Sequence, residues 1–162
     1  MNHRYANILS IGINRQRVGI AVFTNGELEY VTGRALPAVM SLSGRRELIA
    51  YIDDLVRRHE IKVVTMPRLT VQQQNSRAVT RIYKRIQTRT IRGGLTLTIE
   101  SLPARRSGRV ETDEELAALY PELRRFLGNA AWERRYYKHI FKAVSAGVAR
   151  LRINEEERRS NE

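Results

Sequence analysis

The most constraining stretch of this sequence is its beginning, residues 7–37, NILSIGINRQRVGIAVFTNGELEYVTGRALP. Two apolar, β-branched runs, Ile8–Ile13 and Val18–Phe23, flank the polar turn Asn14-Arg15-Gln16-Arg17. A second turn, Asn25-Gly26, leads into an extended run from Leu28 to Thr32. Asn-Gly between apolar runs is a strong hairpin signal, because both turn positions need a positive φ. The opening therefore reads as a three-stranded antiparallel meander. Its first strand has few polar positions, as expected of a strand covered on both faces. Asn14 ends that strand at a tight turn, a place where chemistry often sits.

The rest of the chain alternates helices and strands. Ser43-Gly44 can start a helix RRELIAYIDDLVRRHE, with Leu48, Ile49, Ile52, Leu55 and Val56 at helical spacing. Asp53 and Asp54 fall on its polar face, read as solvated rather than metal-binding, since no third ligand lies nearby in sequence. Ile61–Met66 is a short β-rich run stopped by Pro67. Strand, helix, strand implies a crossover, so this fourth strand is expected parallel to the first. Ligands of such sheets gather at the carboxyl ends of the strands, here Asn14 and Met66-Pro67-Arg68. Residues 72–92 read as a second long helix, and Gly93-Gly94 ends it before a fifth strand, Leu95–Glu100. Ser101–Val110 is a basic loop. Thr112 and Glu115 form a capping box for a helix that Pro121 kinks or splits. The last helix is expected over Ala131–Ile153, with Trp132, Tyr136, Ile140, Phe141, Val144, Val148 and Leu151 in the core. Residues 1–153 read as one domain, and 154–162 as a polar, fraying tail.

Charge narrows the function. Lys plus Arg is 29 against 17 acids, a net of +12, with pI near 10.8. Most of the basic residues are arginine, whose planar fork suits phosphate and stacks on bases. Arg77, Arg81, Arg85, Arg89 and Arg92 recur every three or four residues and make one cationic stripe, with Lys84 beside it. No acid occurs from Lys62 through Ile99. Like charges at that spacing repel, so an anion along them is expected; a solvated basic face is the plain alternative. Arg15, Arg17 and Arg68 at the strand ends, Arg105, Arg106 and Arg109 in the loop, and Lys138 and Lys142 on the last helix complete the expected nucleic-acid surface. The chain has no cysteine, which removes disulfides and thiolate metal sites, and no apolar run long enough to span a membrane. A cytoplasmic protein is expected. There is no P-loop, no dinucleotide-binding glycine fingerprint, no zinc spacing and no nucleophile elbow.

The order β-β-β-α-β-α-β-α-α resembles the RNase H-like superfamily, most of all the RuvC-type Holliday-junction resolvases and their YqgF-like relatives. The likeness covers residues 7–152. Ile11-Gly12-Ile13-Asn14 followed by Val18-Gly19-Ile20-Ala21-Val22 is similar to that family's Gly-Ile-Asp strand end and the strand after it. His139-Ile140-Phe141-Lys142-Ala143 is similar to its His-x-x-Asp-Ala. The resemblance implies an α/β fold with a mixed five-stranded sheet, its first three strands antiparallel, flanked by helices. It also implies DNA as partner and a homodimer. The family's reaction is phosphodiester hydrolysis by two divalent ions, which need carboxylates to hold them about 3.5–4 Å apart.

At those positions this chain departs from the pattern. Asn14 offers a neutral amide, Met66 or Pro67 no ligand, and Lys142 a cation. The leading expectation is a degenerate RuvC-like protein that binds nucleic acid without a cofactor. One alternative is a magnesium-dependent endonuclease with a site rebuilt from Asn14, Glu100 and His139. Another is a non-catalytic protein-interaction subunit that uses a face such as that around Tyr136 and Tyr137.

Overall fold

A computed structural model describes residues 6–35, 41–102 and 112–162, leaving aside the Arg134 side chain. The opening meander is present as β1 (Ile8–Ile13), β2 (Arg17–Thr24) and β3 (Glu27–Ala35), paired antiparallel. Asn25 and Gly26 both take positive φ, 53° and 85°, as the hairpin signal requires. α1 (Leu42–Arg58) is capped by Ser41, whose hydroxyl accepts from the Gly44 N–H at 2.9 Å. β4 (Val63–Pro67) then lies parallel to β1, and β5 (Thr96–Glu100) parallel to β4. The sheet order is β3-β2-β1-β4-β5.

Two helices differ from the sequence reading, at Asn75-Ser76 and at Tyr137, and a third splits at Pro121 as that reading allows. The segment 72–92 is not one helix but α2 (Val71–Gln74) and α3 (Arg77–Arg92). Thr70 and Gln73 form a capping box for the first, and the Ser76 hydroxyl accepts from the Val79 N–H to restart the second. The Thr112–Glu115 capping box forms as expected and opens α4 (Asp113–Leu119). Pro121 then starts a separate 3-10 turn, Pro121–Phe126. The last segment divides at Tyr137 into α5 (Ala131–Tyr136) and α6 (Lys138–Ser160). That break shifts the helical phase, so Trp132 and Tyr136, expected in the core, are 64% and 39% exposed. The expected tail is instead the final turns of α6. Arg150 there binds Asn154 Oδ1 at 2.9 and 2.8 Å, and the Ser160 hydroxyl binds the Glu156 carbonyl at 3.0 Å.

The sheet separates two cores. On one face Leu9, Ile11, Ile20, Val64 and Met66 pack with Leu48, Ile52 and Leu55 of α1 and Val79, Ile82 and Ile86 of α3. On the other, Ile8, Ala21, Phe23 and Val31 pack with Leu116 of α4, Leu123 and Ile140, Val144 and Leu151 of α6. α6 lies very close to the sheet because its contact is glycine. Gly12 faces Gly19 across β1–β2, and Gly19 faces Gly33 across β2–β3. A Cβ on Gly19 would stand 2.1 Å from the His139 carbonyl oxygen. This cross-strand glycine row fixes where the start of α6 meets the strand ends.

Candidate nucleic-acid interface

The strand tips come together around β1. The Gln73 amide, buried, donates to the Ile13 carbonyl at 2.9 Å and ties α2 to the end of β1. The Asn14 side chain is already committed. Its Oδ1 accepts from the Gln16 N–H at 2.9 Å and the Arg17 N–H at 2.7 Å, closing the β1–β2 turn. This is an Asx turn, the local use that makes asparagine common at such sites. A carbonyl engaged by two backbone donors is a poor ligand for a divalent ion.

The other expected catalytic positions divide between two faces. Met66 is fully buried in the core under α1 and α3, on the opposite face from α6, so its side chain does not reach the site. Period two along β4 puts Thr65, not Met66, under α6. Glu100 is 6% exposed, and its Oε1 lies 3.6 Å from Arg150 Nη1. A hydroxyl relay also reaches it, with Thr98 donating to Thr65 at 2.8 Å and Thr65 to Glu100 at 3.4 Å. The Ser10 hydroxyl, opposite Thr65 in register, donates to the Ala143 carbonyl of α6. These groups hold α6 down on the sheet, and Glu100 is spent in that role.

Lys142 and His139 sit at the start of α6, above the glycine row. Lys142 is half-buried, and a Cβ on Gly12 would meet its Cβ at 3.2 Å. Burial, with the neighbouring Lys138 charge, lowers its pKa. His139 is 1% exposed; burial first, then the Arg17 charge, pulls its imidazole down to about 4. It is therefore neutral at pH 7, with a backbone hydrogen bond at Tyr136 opposing the shift only in part. The donor set thus holds a spent amide, a spent carboxylate, a buried imidazole and an ammonium. Among the described residues no group of three or more His, Asp or Glu could hold a metal ion. The two-ion chemistry of the resembled family does not fit these residues.

The cationic residues form two sets. Arg15, Arg17, Arg68, Lys138 and Lys142 surround the strand tips, and Arg15, Arg68 and Lys138 are exposed. Arg77, Arg81, Lys84, Arg85, Arg89 and Arg92 run along the exposed side of α3, whose sixteen residues span about 24 Å. Only the Arg77 end lies beside the tips, through α2; the stripe leads away from them. Arg89 is not free: its Nε and Nη2 bind Asp53 Oδ1 and Oδ2 at 3.1 and 2.8 Å. Asp53, read as solvated, is that partner, and Asp54 pairs with Arg57 and Arg58. Arg105, Arg106, Arg109 and Glu111 lie outside the described residues.

Sequence reasoning missed a pocket beside this site. An open cavity of about 450 Å³ is lined by Arg17, Gly33, Arg125, Phe126, Tyr136 and His139, among others. The spacing Gly12, Gly19, Gly33 was visible in the sequence, but only strand register turns it into a row.

No known family model matches the chain, and no curated protein matches its sequence. Solved structures do match. Thermus thermophilus RuvC in complex with its Holliday-junction substrate aligns at TM-score 0.62 with 11% identity, over 90% of this chain and 92% of that one. A second Thermus thermophilus RuvC structure aligns at 0.59 with 12% identity, over 88% and 92%. The Fowlpox virus resolvase in complex with Holliday-junction DNA aligns at 0.57 with 12% identity, over 90% and 97%. No helix among the described residues is long and apolar enough to cross a membrane. With order 3-2-1-4-5, a parallel β1–β4–β5 half and a closing helix on the glycine row, the chain has the RuvC-type, RNase H-like fold.

Proposed function

We propose that this protein binds nucleic acid, DNA rather than RNA, through its phosphate backbone and does not cut it. The observation that carries the reading is the exposed guanidinium row of α3, in a stretch without acids from Lys62 through Ile99. Arg77, Arg81, Lys84, Arg85 and Arg92 would track a backbone. Lys142 and Lys138 would take a phosphate where the resembled enzymes hold metal. Contacts of that type fix register and carry no base information, so recognition follows the shape of the nucleic acid. The fold supports DNA as the partner, since RuvC and the Fowlpox virus resolvase are both seen with Holliday-junction DNA. Arg105, Arg106 and Arg109 are assigned to the same surface by their charge alone, and a homodimer by the resemblance alone.

Binding of a four-way junction, a duplex and a single strand, titrated over a salt series, tests this. The expected result is tight binding at low salt, with log K falling linearly against log salt. Micromolar or weaker affinity for all three at low salt overturns it. So does cleavage in magnesium or manganese that EDTA and Glu100→Ala both abolish, which would restore the nuclease alternative.

A further inference from the structure

The pocket beside the strand tips has walls of one repeated kind. The Arg17 guanidinium lies 3.6 Å over the centre of the Tyr136 ring. Arg125 lies 4.6 Å over Phe126. Tyr137 joins the two pairs, 4.9 Å from Tyr136 and 5.3 Å from Phe126, ring centre to ring centre. A guanidinium held against a ring still has N–H groups to offer an anion. Gly33 of β3 also lines the pocket, and the His139 imidazole packs on its backbone, where a Cβ would stand 2.3 Å from Nε2. His139, 1% exposed, closes the inner end. Among the described lining residues the fixed charges are both arginines, and none is acidic. About 450 Å³ falls in the roughly 300–1,000 Å³ range of small-ligand sites.

Those properties select a ligand that is anionic at one end and flat, aromatic and polar-edged at the other. A carboxylate metabolite would use the arginines and leave the rings idle. A phosphate in a regular duplex would use the arginines too, but its base stays in the stack and cannot enter. A nucleotide outside a duplex uses both kinds of wall: aromatic surface for its base and paired guanidiniums for its phosphate. Aromatic side chains interleaved with arginine are the usual platform for such bases.

We propose that this pocket takes one unpaired nucleotide of the bound nucleic acid, its base among Tyr136, Tyr137 and Phe126 and its phosphate on Arg17 and Arg125. The assignment rests on the nucleic-acid reading above and adds to it a preference for strands with unpaired positions. It would make the protein a reader of gaps, ends or open junctions, with the α3 row supplying the general affinity.

The test compares a fully paired duplex with the same duplex carrying a short single-stranded gap, for the wild type, Tyr136→Ala, Tyr136→Phe and Arg125→Ala. The wild type should bind the gapped duplex more tightly. Tyr136→Ala should lower affinity for the gapped duplex about tenfold, in line with the ~1–3 kcal/mol lost per stacked base on alanine substitution. It should change affinity for the paired duplex less than twofold, while Tyr136→Phe keeps both. Arg125 is exposed, so Arg125→Ala tests the pocket even where Tyr136→Ala loosens the fold. It should cost several-fold on the gapped duplex only. Equal losses on both substrates, or no loss on either, overturn the pocket and leave the phosphate-binding reading in place. A wild type that binds neither substrate removes both.

Discussion

Along β1, Leu9 and Ile11 point to α1 and α3, while Ile8, Ser10 and Gly12 point to α6. β4 repeats the contrast, with Val64 and Met66 on the first side and Thr65 on the second. The α1/α3 face is a dry apolar layer, held by the non-directional burial of branched side chains. The α6 face also has apolar packing, with Ile8, Ala21 and Phe23, but it adds hydroxyls on β1, β4 and β5, glycines on β1, β2 and β3, and the Arg150–Glu100 ion pair. Area burial tolerates a side chain a methyl larger or smaller; a helix seated on bare backbone and single hydrogen bonds does not. The two faces therefore differ in how sharply they fix position. The face that fixes position is the one that bears Lys142, His139 and the pocket.

Gly19→Ala is the most direct way to break that contrast. Its Cβ would meet the His139 carbonyl oxygen at 2.1 Å and the His139 carbonyl carbon at 2.5 Å, backbone atoms with no rotamer to give way. One methyl should cost about 3 kcal/mol, the upper end of overpacking penalties. On the other face, Ile11→Val removes a methylene from a layer that can relax and should cost about 1 kcal/mol. Urea unfolding of both variants measures the ratio. Equal costs would mean that α6 shifts freely and that the glycine row does not position it.

His139 gives the next effect, through pH. The buried imidazole has a pKa near 4 against 6.5 for the free side chain, so the unfolded chain takes the proton first. Its contribution to stability is full above pH ~6.5 and is lost as pH falls toward 4. Proton linkage over that window sets the loss on the order of 3 kcal/mol. His139→Gln cannot titrate. Its unfolding free energy should be flatter over that window than the wild type's, and the difference between the two curves isolates His139 from the carboxylates. Parallel curves would place the imidazole in contact with water and contradict its burial.

Most of the fold was legible because it rests on period and turn chemistry. The Ile8–Ile13 run, the Asn25-Gly26 hairpin, the Thr112–Glu115 capping box and the parallel fourth strand follow from local rules that tertiary packing did not override. Helix continuity was not legible at Asn75-Ser76 or at Tyr137. Ser76 restarts its helix by side-chain capping, but Tyr137 breaks the last helix with no sequence breaker at all. Trp132 and Tyr136 were misplaced for that reason. Lys142 and Asn14 carried the departure from metal chemistry; of the two positions read at the end of the fourth strand, Met66 lies in the α1/α3 core, and strand phase groups Pro67 with Thr65. The partners of Arg89 and Glu100 lie 36 and 50 residues away in sequence and needed coordinates.

The smallest effect separates two arginines that the sequence treats alike. Arg81 and Arg89 stand on the same exposed side of α3, but Arg89 is clamped by Asp53. Hydrogen bonds and charge from Asp53 raise the Arg89 pKa, the signature of a satisfied guanidinium. A phosphate that recruits Arg89 must first displace that carboxylate or tolerate it nearby. Arg81→Ala should weaken DNA binding and reduce the slope of log K against log salt by about 1, one phosphate contact fewer. Arg89→Ala should reduce the slope by well under half of that. An exposed pair of this kind adds little to stability, so melting of Arg89→Ala should move little as well. Asp53→Asn then completes the comparison: it releases Arg89 without adding a cation, and the slope should steepen toward one further contact. If Arg81→Ala and Arg89→Ala change the slope equally, Asp53 does not hold Arg89 in solution. The α3 row would then act as one uninterrupted stripe.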